Sequence, residues 1–312
     1  MNISLSNRYR GCLLGLACGD AVGAAVEFLS RGGFQPVTTM TGGGPFGLKP
    51  GQWTDDTSMA LCLAESLLHC SGFNPLDQMQ RYRLWAETGH LSSTGTCFDI
   101  GGTVASALRS FRETGDPFSG PVSPGSAGNG CIMRLAPVIL FCHPDQAQAI
   151  AWASESSRTT HGTAECLEAC RLLAAVISDL LEGRSREELF DPTRWTALLS
   201  SVTSPRLREI AEGSFRVKVE REIRSGGYVV ETLEAALWCF QRTKNFREAI
   251  LAAANLGGDA DTTGAVCGQL AGAAYGYENI PDEWLEKLAL RSRIVDFADQ
   301  LLAAAEKPGK KG

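Results

Sequence analysis

Eleven cysteines lie along this sequence, yet no two form a CxxC pair and the count is odd. Neither a disulfide framework nor a zinc site is implied. Most of the thiols stand among Leu, Ala and Val, where a thiol behaves as a small buried hydrophobe, so they are expected to be reduced core residues of a cytoplasmic protein. Also missing is an uninterrupted apolar run of the roughly 18 residues that a membrane span needs. The apolar stretch from Gly11 to Phe28 has the look of a signal peptide, but Asp20 lies inside it and Glu27 near its end. Basic excess is absent as well. A formal net charge of -6 argues against general attraction to nucleic acid or to an anionic membrane, and leaves small-molecule or protein substrates as the expected partners. Long alternating β-branched runs are scarce, and no repeat of fixed period or shift of composition marks a domain boundary.

What is present is helical periodicity. Tyr9 to Val26, Thr57 to Cys70, Pro75 to Thr88, Gly102 to Arg112, Cys131 to Phe141, Pro144 to Ser156, Ala164 to Glu182, Glu231 to Phe240, Asn245 to Leu256, Gly264 to Tyr275 and Asp282 to Ala305 each support a helix. The pattern predicts an all-α fold, built as one compact domain over residues 1–306 with a frayed tail over 307–312. Two connections, Gly32 to Gln52 and Ser119 to Gly130, are long and rich in glycine. Long loops without regular structure are usually functional or disordered, and polar motifs at the ends of these two favour function.

Two acidic motifs stand out. WTDDTSMALCLAESL (Trp53 to Leu67) puts Thr54, Asp55, Asp56, Thr57 and Ser58 at a helix start, and LGGDADTTGA (Leu256 to Ala265) puts Asp259, Asp261, Thr262 and Thr263 at another. A helix start needs one capping residue, not five. Four carboxylates in apolar surroundings are costly to bury unless a cation compensates for the lost water. Asp55, Asp56, Asp259 and Asp261, with hydroxyls from Thr54 and Thr262, suit two hard divalent ions with oxygen ligands, Mg²⁺ or Mn²⁺. DADTT also fits the DxDx[TV] opening of haloacid-dehalogenase-like phosphatases, but that motif follows a buried strand, and the preceding EAILAAANLGG is alanine-rich and helical.

Weaker signals accompany these. In GLACGDAVGAAVEF (Gly15 to Phe28) small residues allow close approach to another backbone, and Asp20 and Glu27, seven apart, are expected on one helix face as a site-facing pair. Asp99 in CFDIGGT either caps the helix that follows or is catalytic, and both readings stand. SAGNGCIMR (Ser126 to Arg134) runs a glycine loop into a helix, where free N–H groups favour phosphate. A lone histidine, His161 in TTHG, is more often structural than catalytic, and its polar, glycine-bearing setting raises the second reading.

In this order, GDAVGAAVEF, WTDDTSMA, FDIGGT, AGNGCIMR, TTHGT, GGYVVETLEAALW and GGDADTTGAVCGQLAGAAYG resemble the ADP-ribosylglycohydrolase family over nearly the whole chain. The resemblance implies an all-α fold with a dinuclear Mg²⁺ or Mn²⁺ centre at the base of a cleft, and cleavage between the terminal ribose of ADP-ribose and a modified side chain. It implies metal ligation by Thr54, Asp55, Asp56, Asp259, Asp261 and Thr262, and catalytic places for Glu27 at the metal centre and Asp99 beside the reacting ribose. Ser126, Ala127, Gly128, Asn129 and Gly130 match the loop that holds diphosphate and ribose, while His161 and Tyr228 match positions lining the cleft. One departure concerns Gly102, where many relatives carry Asn or Asp, so the leaving-group side of the pocket loses a polar contact.

Glycosidic cleavage through an oxocarbenium-like state commonly uses carboxyl groups, which agrees with the residues. Arginine-linked ADP-ribose is the first expected substrate, with serine-linked or O-acetyl-ADP-ribose next. A competing expectation is a module that binds ADP-ribose without cleaving it. Its mark would be lost metal ligands, and none is missing here.

Overall fold

The computed structural model describes residues 3–307 apart from 190, 192, 193, 196, 197, 199 and 201, so the expected frayed tail lies almost wholly outside the described residues. Helices follow one another as α1 (Leu5–Gly23), α2 (Asp55–Cys70), α3 (Pro75–Thr88), α4 (Gly102–Thr114), α5 (Ala136–Cys142), α6 (Gln146–Arg158), α7 (Ala164–Leu181), α8 (Arg186–Leu189), α9 (Pro205–Ala211), α10 (Val229–Arg242), α11 (Phe246–Asn255), α12 (Ala260–Tyr275), α13 (Asp282–Leu285) and α14 (Arg291–Ala305). Among the described residues there is no strand, only isolated bridges between Gly43 and Leu48 and between Gly128 and Tyr228. The fold is all-α, as the periodicity predicts.

Three predicted helices are corrected. Residues 131–134 form turns and Leu135 is the N-cap, so the helix expected from Cys131 begins only at Ala136. The helix expected over Asp282 to Ala305 is interrupted where Leu290 takes φ +51°, a left-handed conformation that no continuous helix tolerates. The first helix ends at Gly23, and a 3₁₀ turn (Ala24–Val26) carries the chain off its axis. Glu27 therefore does not share a helix face with Asp20.

α1 and α12 form the centre of the molecule. Both are apolar nearly all round, the pattern of a helix enclosed by others. They run antiparallel with glycine facing backbone at every fourth residue: a Cβ on Gly11 would stand 2.3 Å from the Gly272 carbonyl oxygen, on Gly15 2.3 Å from that of Gly268, and on Gly19 2.0 Å from that of Gly264. Only the absence of a Cβ permits this approach. The GxxxG spacing in both segments thus sets the register that brings the C-terminal end of α1, with Asp20, against the N-terminal end of α12, with Asp261. Arg8 ties the far end by donating from Nη1 to the carbonyls of Leu180 (3.0 Å) and Ala273 (2.8 Å).

Candidate active site

Where α1 ends and α2 and α12 begin, seven carboxylates gather: Asp20, Glu27, Asp55, Asp56, Asp99, Asp259 and Asp261. The first helix start is capped in an unexpected way. Thr54 occupies the N-cap of α2, yet its side chain accepts nothing from the helix. Asp20, reaching across from α1, does the capping instead: its carboxylate accepts from the Thr54 N–H (2.8 Å), the Thr57 N–H (3.1 Å) and the hydroxyls of Thr54 (3.0 Å) and Thr57 (2.6 Å). An acidic group at a helix N-terminus also meets its partial positive charge. Asp55 and Asp56 are thereby released from capping.

The second helix start behaves similarly. Asp259 is the N-cap of α12 without a side-chain bond to the helix; its Oδ2 accepts from Asn129 Nδ2 at 2.7 Å, and the same amide donates to Thr232 Oγ1 at 2.9 Å. Gly257 and Gly258 both take φ +68°, and a Cβ on Gly258 would meet the Ser225 carbonyl oxygen at 2.3 Å. That turn also clamps the Glu27 segment: Phe28 N–H donates to Gly258 O (2.7 Å) and Gly258 N–H to Leu29 O (2.7 Å). Asp99 does not cap α4, whose N-cap is Gly101. It takes φ +54° and faces the cavity, which removes the capping reading.

Three buried carboxylate oxygens have no hydrogen-bond partner: Glu27 Oε2, Asp56 Oδ1 and Asp261 Oδ1. Among the described residues none of the seven carboxylates makes an ion pair. Thr54 Oγ1 lies within 3.1 Å of Asp56 Oδ2 and 3.3 Å of Asp261 Oδ2, and Thr262 Oγ1 within 3.4 Å of Asp56 Oδ2. Asp20, Asp56 and Asp261 bring ligand oxygens within 4.8 Å of one another, as do Glu27, Asp99 and Asp261. Orphaned, all-oxygen and negatively charged, these groups fit a hard divalent cation. Without one, burial pushes Asp20 up to about 6 against the hydrogen bonds from Thr54 and Thr57, while burial and mutual repulsion push Asp99 up to about 7 and Glu27 up to about 9, and raise Asp55, Asp56 and Asp261 well above the usual carboxylate range.

Above this floor opens a cavity of about 250 Å³. Its acidic side is Glu27, Asp55, Asp99, Asp259, Asp261 and Thr262; its other walls are Phe28, Gly101 to Val104, Gly128 to Gly130, Met133, His161 and Gly227. Burial pushes His161 down to about 4, so its ring is neutral at physiological pH.

The sequence-predicted residues thus fall into three groups. Glu27, Asp55, Asp99, Gly128, Asn129, Gly130, His161, Asp259, Asp261 and Thr262 line the cavity. Thr54 and Asp56 lie fully buried beneath it. Ser126, Ala127 and Tyr228 do not line it: Ser126 Oγ donates to Ser123 O (2.6 Å), Ala127 O accepts from the Val229 N–H (3.0 Å), and Tyr228 donates its hydroxyl to Glu165 Oε2 (2.7 Å). These three brace the loop from outside. Asp20, expected only as a site-facing residue, and Glu27 and Asp99, expected as catalytic groups, also offer ligand oxygens beyond the expected set. The signal for Asp20 was an acidic residue in the apolar stretch from Gly11 to Val26, which holds no other charge.

The ADP-ribosylglycohydrolase family model matches residues 1–311. The chain belongs to the ADP-ribosylglycohydrolase family. It is accordingly a glycosyl hydrolase acting on ADP-ribosylated substrates. Among family members it is 43% identical to the ADP-ribosylarginine hydrolase Tri1 of Serratia proteamaculans (strain 568), over 96% of this chain and 80% of that protein. It is 34% identical to the ADP-ribosyl-[dinitrogen reductase] glycohydrolase of Rhodospirillum rubrum, over 97% and 98%. A solved chain of an ADP-ribosylglycohydrolase-related protein complex superposes with TM-score 0.84 at 44% identity, covering 96% of this chain and 99% of that one. No helix among the described residues is long and apolar enough to cross a membrane, and all eleven cysteines are free.

Proposed function

We propose that this protein removes ADP-ribose from modified arginine side chains of a cytoplasmic protein partner, using two divalent ions, Mg²⁺ or Mn²⁺. The observation that carries the metal requirement is the trio of orphaned carboxylate oxygens on Glu27, Asp56 and Asp261 at the cavity floor. The arginine linkage is supported by the similarity to the ADP-ribosylarginine hydrolase of Serratia proteamaculans.

Thr54, Asp55, Asp56, Asp259, Asp261 and Thr262, with Asp20 and Glu27, are the residues that would hold the ions. When bound, such ions supply a template for the ribose hydroxyls and a lowered pKa for water. The chain's own residues do the rest. Gly128, Asn129 and Gly130 bring the loop backbone to the cavity wall where the diphosphate and ribose would lie, and the Asn129 amide fixes Asp259 through the 2.7 Å bond. His161 offers a neutral ring to the same side. Asp99, half-buried at the cavity wall, is placed to exchange a proton with water or the leaving nitrogen as the glycosidic bond breaks. Glu27 faces the same space from the metal side.

The experiment is incubation of the protein with arginine-linked and serine-linked ADP-ribosyl peptides, with and without Mg²⁺, watching for free ADP-ribose. Release from the arginine peptide alone, and only with metal, is expected. Preferential release from the serine peptide, or from O-acetyl-ADP-ribose, would overturn the linkage, and tight binding of ADP-ribose with no release would identify a binding module.

A further inference from the structure

One buried charge has no place in the scheme above. Arg134 is completely inaccessible to solvent, and no carboxylate pairs with it among the described residues. Its guanidinium rests over the Tyr82 ring (4.6 Å), Nη1 reaches Met59 Sδ at 3.7 Å, and Nε has no partner. Burying an unpaired cation is costly, and a methionine would fill the volume at less expense. A site-directed reason is therefore needed.

The one strong bond that Arg134 makes supplies it. Nη2 donates to Thr160 Oγ1 at 2.7 Å, and Thr160 Oγ1 lies 2.8 Å from His161 Nδ1. A guanidinium can only donate, so the threonine oxygen accepts there. If Nδ1 also carried a proton, the hydroxyl would accept twice and leave its own buried O–H without an acceptor, since no other side-chain bond to Thr160 is formed among the described residues. The arrangement that satisfies every group has Thr160 donating to Nδ1. The imidazole proton is then on Nε2. That nitrogen lies on the side of the glycine loop: a Cβ on Gly128 would stand 3.3 Å from it and on Gly130 3.1 Å, and all three residues line the cavity.

We infer that Arg134 and Thr160 are positioning residues that lock His161 in its Nε2–H tautomer and aim that donor, backed by a buried positive charge, at an anionic diphosphate held beside the Gly128–Gly130 loop. This rests on the proposed ADP-ribose reading for the identity of the anion, though not for the tautomer. Sequence placement alone gives no hint of it, because the relay joins a residue after the glycine loop to two residues before α7. Burial, and with it the charge of Arg134, opposes protonation of His161, so the ring remains a neutral donor rather than a second cation.

The test has two readouts on the full chain. In ¹⁵N histidine spectra of the ligand-free protein, His161 should show a pyridine-type Nδ1 and a protonated Nε2. Thr160→Val should destroy that pattern and Thr160→Ser restore it. In calorimetric titration with ADP-ribose, Arg134→Met and Thr160→Val should each raise Kd by about tenfold or more, which is about 1.4 kcal/mol per tenfold. Their affinity for Mn²⁺ should stay within about twofold, a split that general damage to the fold would not produce. Arg134→Lys, which keeps the charge and a donor, serves if the methionine variant does not fold, and should bind better than any variant that removes the charge. A protonated Nδ1 in the wild-type spectrum overturns the inference. So does a folded Arg134→Met protein with unchanged Kd. The spectrum is read without substrate, so failure of the wild-type protein to bind ADP-ribose would sink the functional reading, while the tautomer would still be decided by the spectrum.

Discussion

Gly19 of α1 faces the carbonyl oxygen of Gly264 in α12 so closely that a Cβ added to it would stand 2.0 Å from that oxygen. Asp20 is the next residue of α1 and Asp261 lies one turn before Gly264 in α12, and the two share the hydroxyl of Thr54 at 3.0 and 3.3 Å. The carboxylate cluster therefore depends on helices packed backbone to backbone.

Gly19→Ala should force the two helices apart. Overpacking of this kind typically costs about 1–3 kcal/mol, and in a protein of this size a loss of that order lowers Tm by roughly 1–2 °C per kcal/mol. Divalent-ion affinity should fall with it, since the same contact sets the spacing of Asp20 and Asp261. Thermal unfolding with and without Mn²⁺ measures both. An alanine variant with wild-type Tm and metal affinity would show that the contact is slack.

Asp56→Asn and Asp261→Asn each remove one charge next to an orphaned oxygen while keeping the size of the side chain. Both should lose divalent-ion binding by calorimetry and lose turnover by about 10²-fold or more, the scale typical of a removed catalytic group. Asp259→Ala should abolish both as well, and it also strands the Asn129 amide. Full activity of a chelator-treated Asp259→Ala protein would refute the metal scheme.

Asp99→Asn tests proton transfer separately. Asp99 is half-buried at positive φ, a conformation that asparagine tolerates as well as aspartate does. The fold and ADP-ribose affinity should persist while kcat falls by about 10²-fold or more. Unchanged kcat with a shifted Kd would make Asp99 a binding residue only.

Stability without metal should decline as pH rises. In the folded protein Asp20 is raised from 3.8 to about 6, Asp99 from 3.8 to about 7 and Glu27 from 4.5 to about 9, chiefly by burial. The folded state keeps protons that the unfolded chain has already released. Their contribution is fully present below about pH 4 and is lost progressively as pH climbs towards about 9. Calorimetry in EDTA at about pH 5.5 and about pH 8.5 should give a lower Tm at the higher value, and excess Mg²⁺ should reverse the difference by favouring the ionised carboxylates. A Tm in EDTA that rises over this window would contradict the crowded-carboxylate picture.

Much of the site was legible because its chemistry is concentrated in short motifs. TDDT and DADTT put more acidic and hydroxyl groups at two helix starts than capping requires, and the structure accounts for the surplus by leaving those carboxylates free to face a common point. The helix boundaries were less legible. Leu290 breaks a predicted helix although leucine is a good helix former, and residues 131–134 turn before α5 begins. Tertiary contacts overrode propensity in both places. The family resemblance puts Tyr228 among the cleft residues; in the structure its hydroxyl is taken by Glu165 and Arg206 lies over its ring at 5.3 Å.

By itself the sequence determined the helical class, the apolar enclosure of the first and twelfth helices, the four-residue glycine spacing on both, and the supply of oxygen ligands. These are local matters of period and composition. The tertiary structure alone decided that Asp20 caps a helix 37 residues away from it, that Asn129 holds Asp259 across 130 residues, and that Arg134 reaches His161 through Thr160. Such partnerships have no local signature, because hydrogen bonds and charge pairs form between whichever groups helix packing brings within about 3 Å.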